Sequence, residues 1–314
     1  MRAAVALILL LAGLPVRAEE AMQDRILREH LWRQTLALPG TERPRVGLVL
    51  SAGAVRGLAH VGVIRALDET GFPVDVVTGT SMGAIVGSLY AGGMSAEKLW
   101  KLRKSIHLGT NFSKFRLIEL ILYDKLLSSK KLESFIKEQI GDLYFHQMPK
   151  PFACVAMDLK TGEPIIFREG PVALAVRASM NLPGFFEPVE YRHRYLVDGG
   201  VVDYIPIDAA KLIGAEWVIA SVTEGDYTRE RPNNVMSTLE QVIDIRGSIL
   251  AREQKKHADV LVEPPVGDIS LEQINRGPEA MIKGVVAMTR KIPEAQGSLI
   301  LHAMPKLMKQ WRSQ

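Results

Sequence analysis

The sequence predicts an α/β protein built on a mostly parallel sheet. Short apolar runs that suit strands alternate with segments of helical periodicity along most of the chain, which is the order that produces βαβ units. The first run, Val46 to Leu50, is almost continuously apolar, as expected for a strand covered on both faces. No proline- and serine-rich linker and no internal repeat divides residues 45–314, so we expect one large domain there.

The first half of this domain shows clear helix boundaries. Gly71 and Pro73 stop one helix, Ser95 is suited to cap another, and Gly141 ends a third. The predicted elements are a helix at 58–70, a strand at 74–77, a helix at 82–92, a helix that begins near residue 95 and a helix from 128 or 129 to 140.

Turn residues organise the second half. Lys160-Thr161-Gly162 separates two strand-like runs, which predicts a hairpin, and Pro206 suits the first turn of a helix. The predicted elements are strands at 152–158 and 163–167, a helix at 172–180, a strand at 195–197, a helix at 206–214, and strands at 217–222 and 260–262 separated by one long helix.

The N-terminus has the form of a secretory signal peptide. Arg2 is the positive end, residues 3–14 are apolar, and Val16-Arg17-Ala18 is a small-residue cleavage site. The apolar stretch is short for a membrane span and Pro15 ends it, so a retained anchor is the less favoured alternative. We therefore expect a signal peptide at 1–18, secretion or a periplasmic location after cleavage near Ala18, and a helical extension at 19–44 before the domain.

Composition argues against several classes of protein. Without Arg2 and Arg17 the formal net charge falls from +4 to +2, and no nucleic-acid-binding motif is present, so nucleic acid is not an expected partner. The seven histidines are scattered without metal-ligand spacing, so neither a metal nor another cofactor is implied. Cys154 lies among apolar residues, which favours a buried structural thiol over a nucleophile.

Gly79-Thr80-Ser81-Met82-Gly83 has the G-x-S-x-G form of a nucleophile elbow. An apolar strand precedes it and small residues at helical spacing follow it, which is the strand–turn–helix context that the motif needs. Ser81 is therefore the candidate nucleophile. The alternative is an ordinary glycine-bounded turn in which Ser81 caps a helix.

A second small-residue loop, at 51–57, follows the first predicted strand. Its backbone N–H groups and the positive end of the next helix are suited to one anion, such as the oxyanion of an acyl-transfer reaction. A phosphate-cradling loop is the alternative, but no Gly-Lys-Ser/Thr sequence follows.

Asp198-Gly199-Gly200 supplies the candidate base. The two glycines permit a close backbone approach, which a directly facing Ser81–Asp198 pair requires, whereas the alternative is a plain turn after a strand. A histidine triad is the competing scheme. We expect His60 to be structural and His257 to lie at a solvated helix end.

These three motifs, in this order, resemble the patatin-like phospholipase family, and the similarity extends over about residues 46–222. The runs that carry it are 56–63 (RGLAHVGV), 79–87 (GTSMGAIVG) and 177–184 (RASMNLPG). The resemblance implies a three-layer α/β/α sandwich, lipid acyl esters as substrates, and a catalytic dyad of Ser81 and Asp198. It also implies an oxyanion hole at Ala52, Gly53 and Ala54, with supporting residues Arg56, Gly57, Gly79, Gly83, Gly199 and Gly200.

One departure concerns the oxyanion loop, where the family has three consecutive glycines and this chain has Ala52-Gly53-Ala54. Either the two alanines use ordinary φ angles or the loop is distorted, because an alanine with positive φ costs about 1–2 kcal/mol. For Arg56 two interpretations stay open, a surface ion pair and a role near the ligand.

Residues 100–131 mix basic and apolar side chains. We favour a core-covering amphipathic helix with a solvated basic face; the alternative is peripheral membrane contact or a lid over the site. The leading hypothesis for the whole chain is a serine acyl hydrolase of lipid esters. The alternatives are a catalytically silent lipid-binding or carrier protein and a module of an envelope assembly.

Overall fold

The computed structural model describes residues 23–107, 129–228, 232–233, 235–270 and 273–312. The predicted signal peptide and most of the basic, apolar segment at 100–131 lie outside these residues. The chain divides into two compact units, and in the described residues these are 23–44 with 293–312, and 45–292. In the described residues no helix is both long and apolar enough to cross a bilayer.

A central eight-stranded sheet forms the larger unit, with the order β5-β6-β3-β2-β1-β7-β8 and β4 paired to β3. The pairs β1–β2, β1–β7, β2–β3 and β7–β8 are parallel, whereas β3–β4, β3–β6 and β5–β6 are antiparallel. The predicted α/β sandwich with a mostly parallel sheet is confirmed. The strands are β1 Val46–Leu50, β2 Val76–Thr80, β3 Phe152–Asp158, β4 Pro164–Phe167, β5 Val189–Tyr191, β6 Arg194–Asp198, β7 Trp217–Ser221 and β8 Val260–Val262.

Helices connect and cover these strands. The helices are α1 at 23–37, α2 Ala59–Glu69, α3 Met82–Ala91, α4 Ala96–His107, α5 Lys130–Ile140, α6 Val172–Ser179, α7 Ile207–Leu212, α8 Val235–Gln254 and α9 Gly277–Arg312. Short 3₁₀ helices lie at Ala54–Leu58, Phe145–Gln147, Gly199–Val201, Lys255–His257 and Ile274–Arg276. The predicted cap of α4 is confirmed, because the Ser95 hydroxyl accepts the Lys98 N–H at 3.2 Å.

The second strand differs from the prediction of residues 74–77. It runs from Val76 to Thr80 because its threonine-rich end pairs on both sides, with Gly79 opposite Leu50 of β1 and Thr80 opposite Val155 of β3. This shift has a functional consequence. The strand continues to the residue before Ser81, so the turn that follows it begins at the serine itself.

The core of the larger unit lies on the faces of the sheet. All five residues of β1 and of β7 are buried, as the apolar sequence of β1 predicted. Trp217 of β7 stacks on Phe72 with 5.9 Å between ring centroids. The smaller unit has a separate apolar cluster of Leu38, Ala303 and Leu307.

Candidate active site

Ser81 lies in a strained turn between β2 and α3. Its φ of 56° and ψ of −121° are unusual for a residue with a side chain, as expected for a nucleophile elbow. A Cβ atom on Gly79 would lie 2.2 Å from the Gly83 carbonyl oxygen, and one on Gly83 would lie 2.3 Å from the Leu50 carbonyl oxygen. Both motif glycines are therefore required by close backbone contacts, and Ser81 keeps 8% of its surface exposed.

Ser179, the last residue of α6, braces the elbow. The Ser81 N–H donates to the Ser179 hydroxyl at 3.0 Å, and both residues are buried. Sequence reasoning assigned no role to Ser179, although it lies in the run at 177–184 that carries the family resemblance. The similarity of that run to the family was the one sequence feature that could have pointed to Ser179 as a residue of the site.

Asp198 ends β6 and is 2% exposed. Burial raises the pKa of its carboxyl to about 6, although hydrogen bonds from the Ser81 side chain and the Gly200 N–H, the latter at 2.7 Å, act in the opposite direction. A Cβ atom on Gly199 would lie 2.3 Å from the Val155 carbonyl oxygen, so this glycine permits the segment after Asp198 to approach β3. The structure thus brings the predicted nucleophile and base together.

The order of the strands explains why Ser81 and Asp198, which are distant in the sequence, lie near each other. β3 lies between β2 and β6, with Thr80 opposite Val155 and Asp198 opposite Ala156. Ser81 follows β2 directly, so the two side chains flank the same strand at nearly the same level.

The loop at 51–57 lies against both the nucleophile elbow and the Asp-Gly-Gly motif. A Cβ atom on Gly57 would lie 2.7 Å from the Met82 Cβ atom, and one on Gly200 would lie 2.9 Å from the Ala52 Cβ atom. The three motifs therefore contact one another, and the supporting glycines are the residues at the contacts.

The three predicted oxyanion-hole N–H groups are not equivalent. The Ala52 N–H donates to the Tyr204 carbonyl oxygen at 3.0 Å, so it is already committed and the expectation for Ala52 is corrected. Across the described ranges, the N–H groups of Gly53 and Ala54 have no hydrogen-bond partner. These two donors are available to an anion.

Contacts with Thr223 hold this loop in place. The Thr223 hydroxyl donates to the Ala52 carbonyl oxygen at 3.0 Å, and a Cβ atom on Gly53 would lie 2.3 Å from that hydroxyl. Gly53 has φ 152° and Ala54 has φ 45°, whereas Ala52 has no positive φ. Of the two alanines that replace family glycines, Ala54 alone is strained.

Arg56 supports the loop from inside the protein. It is 2% exposed, and its guanidinium donates to the Asp244 carboxylate at 2.6 Å and to the Ile269 carbonyl oxygen at 3.3 Å. The interpretation as a surface ion pair is wrong, because the ion pair of Arg56 is buried, and a role near the ligand stays a prediction. Asp244 lies in α8, so this pair links the loop to that helix.

Of the other candidate side chains, His60 and Cys154 are buried and His257 is exposed. The Nε2–H of His60 donates to the Ser51 carbonyl oxygen at 3.0 Å, so its Nδ1 accepts the Ser221 hydroxyl at 2.8 Å. Burial lowers the pKa of His60 to about 4, which keeps it neutral. His257 is exposed in the 3₁₀ helix after α8, and Cys154 is buried in β3 with a raised thiol pKa. Over the part of the chain described, no His, Cys, Asp and Glu side chains group as metal ligands.

Known proteins resemble this chain in sequence and in structure. An uncharacterized NTE family protein of Mycobacterium tuberculosis is 34% identical over 194 residues, which are 60% of this chain and 52% of that protein. Lysophospholipase nte1 of Aspergillus fumigatus is 34% identical over 189 residues, which are 60% of this chain and 12% of that protein. The chain thus spans about half the length of the mycobacterial relative and much less of the fungal one.

The solved structure of human GIVD cytosolic phospholipase A2 has the same fold. It superimposes with a TM-score of 0.50 at 11% sequence identity, over 90% of this chain and 63% of that one. The family model for patatin-like phospholipase matches residues 48–211. That match covers more than half of the sequence and includes the oxyanion loop, the elbow and the Asp-Gly-Gly motif, and on this basis the chain belongs to the patatin-like phospholipase family.

Proposed function

We propose that this protein is a serine acyl hydrolase that cleaves fatty acyl esters of lipids through a dyad of Ser81 and Asp198. The observation that carries the proposal is the position of Ser81 and the buried Asp198 on either side of β3, where the serine side chain is close enough to act on the pKa of the carboxyl. Two N–H groups without partners, on Gly53 and Ala54, lie in the loop that contacts both motifs. A nucleophile, a base and oxyanion donors are the parts that acyl transfer needs.

The reaction follows from these parts. Asp198 takes the proton as the Ser81 Oγ attacks the ester carbonyl carbon, and the N–H groups of Gly53 and Ala54 stabilise the negative oxygen of the tetrahedral intermediate. The alcohol or lysolipid leaves with that proton, and an acyl ester remains on Ser81. Asp198 then deprotonates a water molecule, whose attack releases the fatty acid and returns the proton to Ser81.

Burial makes Asp198 a better base than an exposed aspartate. An ordinary aspartate has a pKa of about 3.9 and holds a proton too weakly to assist attack by an alcohol. A pKa of about 6 brings the carboxylate closer to the pH at which a general base is most effective, while leaving it ionised at neutral pH.

The substrate class is supported by the relatives. The fungal relative is named a lysophospholipase, and the family takes its name from phospholipase activity. We further propose that the protein acts outside the cytoplasm, after removal of the signal peptide near Ala18.

Hydrolysis of a lipid panel by the wild type, Ser81→Ala and Asp198→Asn tests the proposal. We expect each variant to lose about 10³-fold or more of kcat, and only Ser81→Ala to lose covalent labelling by a fluorophosphonate completely. The exposed His257→Ala is the matched control and should retain wild-type rates, since the dyad uses no histidine. A wild type that neither hydrolyses an ester nor reacts with the probe would favour the silent lipid-binding or envelope-assembly alternative.

A further inference from the structure

Arg246 of α8 is hydrogen-bonded to the segment that follows the proposed base. Its Nε–H donates to the Val201 carbonyl oxygen at 3.2 Å, and its side chain is exposed. Val201 ends the short helix Gly199–Val201, which begins immediately after Asp198. An exposed cation is therefore attached to the segment that carries the proposed base.

The charge of Arg246 is not neutralised within the described ranges. No carboxylate pairs with it there, whereas two cations that lie closer to the interior are engaged. Arg56 pairs with Asp244, and Lys255 pairs with Glu224 and Glu263. Only the Nε–H of Arg246 is used, so the outer edge of its guanidinium is available to an anion.

Apolar side chains flank this cation on the same helix. Val242 is 57% exposed and Ile249 is 53% exposed, and they lie four residues before and three residues after Arg246 on one face of α8. Toward the N-terminus of α8, Leu239 contacts the loop after α6, where a Cβ atom on Gly184 would lie 2.5 Å from a Leu239 methyl group. A free guanidinium between exposed aliphatic groups matches a ligand that carries a phosphate next to hydrocarbon.

We propose that Arg246 binds the phosphate group of a glycerophospholipid substrate, with Val242 and Ile249 against its apolar part. The proposal rests on the proposed function and adds a specificity-determining residue to it. Guanidinium groups bind phosphate oxygens through paired, charge-assisted hydrogen bonds, which a neutral lipid ester cannot form. Arg246 thereby directs the hydrolase toward phospholipids rather than acylglycerols.

Three substrates separate phosphate recognition from a structural role. Dioleoyl phosphatidylcholine and dioleoylglycerol share acyl chains but only the first has a phosphate, and p-nitrophenyl butyrate reports the acyl-transfer chemistry alone. Phosphatidylcholine is chosen because it adds no net charge to the mixed micelles, so adsorption to a charged surface does not contribute. The hydrogen bond to Val201 is the structural alternative, and its loss would affect all three substrates alike.

The variants are Arg246→Gln, Arg246→Lys and the control Arg252→Gln, which removes an exposed arginine near the end of the same helix. For Arg246→Gln we expect a loss of kcat/KM on phosphatidylcholine about tenfold greater than on dioleoylglycerol, mainly through KM, as for one charge-assisted hydrogen bond. Arg246→Lys should retain part of the kcat/KM on phosphatidylcholine that Arg246→Gln loses, because lysine keeps the positive charge but not the paired hydrogen-bond geometry. Arg252→Gln should match the wild type on all three substrates.

Equal losses of Arg246→Gln on all three substrates, or no loss on any, would overturn the assignment while leaving the proposed hydrolase intact. A wild type that hydrolyses dioleoylglycerol faster than phosphatidylcholine would also overturn it. A wild type inactive on all three would instead refute the proposed function, and this inference with it. A last experiment tests inhibition by inorganic phosphate. If Arg246→Gln abolishes that inhibition but leaves the preference between the two lipids unchanged, the arginine binds soluble phosphate and the lipid assignment is overturned.

Discussion

Replacement of Asp198 by asparagine should abolish hydrolysis and, above pH 6, stabilise the fold. The carboxyl is buried and, in the described parts of the chain, has no cationic partner, while burial raises its pKa from 3.8 to about 6. A shift of about two units corresponds to about 3 kcal/mol of folding free energy that ionisation removes, at about 1.4 kcal/mol per unit. Asparagine keeps the shape of the side chain and never ionises.

The pH dependence gives the sign of this effect. Below about pH 4 the carboxyl is protonated in both states of the chain and carries no penalty. Between about pH 4 and 6 the unfolded chain releases the proton while the folded chain keeps it, so the free energy of unfolding falls as the pH rises. Above pH 6 the wild type has lost the whole contribution, and Asp198→Asn has lost none of it.

Urea denaturation of both proteins at pH 4, 5, 6 and 7.5 measures this difference. We expect the free energy of unfolding of Asp198→Asn, relative to the wild type, to increase by about 3 kcal/mol between pH 4 and pH 7.5. Asp203 also has a burial-raised pKa of about 6, but it is present in both proteins and cancels. In parallel, the hydrolysis rate of the wild type should rise with pH through about 6, as the base ionises. A difference in stability that does not change with pH, or a flat rate profile across pH 6, would refute the argument.

Two further substitutions test the geometry around Ser81. Ala54→Gly should raise the free energy of unfolding by about 0.5–1 kcal/mol, because it relieves a φ of 45°. The control Ala52→Gly should lower it by a similar amount, because Ala52 has no positive φ. Denaturant titration measures both changes, and changes of the same sign would contradict the idea that Ala54 is strained. Ser179→Ala leaves the buried Ser81 N–H without an acceptor, which costs about 1–3 kcal/mol. If Ser179 positions the nucleophile, kcat should fall with little change in KM and Ser179→Thr should restore part of it; unchanged kcat in the folded variant would exclude that role.

Local signals in the sequence were sufficient for most elements. The apolar runs at β1 and β7, the cap at Ser95 and the glycine that stops α5 predicted their elements within a few residues. The elbow was predictable because its glycines, strand and helix are contiguous. What these signals have in common is that the deciding interaction lies within one element or its immediate neighbours.

The hairpin of β5 and β6 was only half predicted, for a physical reason. Its two-residue turn is Arg192-His193, with φ of 47° and 64°, a conformation that usually selects asparagine and glycine. Nothing in the sequence therefore marked a turn, and β5 was missed although Asp198 was identified at the end of β6.

The contacts that hold the oxyanion loop in its conformation also could not be predicted from the sequence. Thr223 binds Ala52 from the end of β7, and Asp244 binds Arg56 from α8. These partners come from elements far along the chain, and nothing in their local sequence shows that the fold brings them to the loop. For the same reason the sequence predicts a free N–H at Ala52, whereas this group donates to the Tyr204 carbonyl oxygen.

The sheet order places the proposed nucleophile and the proposed base on either side of one strand, which suits a dyad without a histidine. Ser81 and Asp198 follow or end strands on either side of β3, so about two strand spacings, or about 9.5 Å, separate their backbones. Two short side chains and one hydrogen bond are comparable in length with that separation, and the strained turn begins at Ser81 itself. In the proposed mechanism the buried Asp198 carboxylate, with its pKa raised to about 6, takes the part of a histidine base.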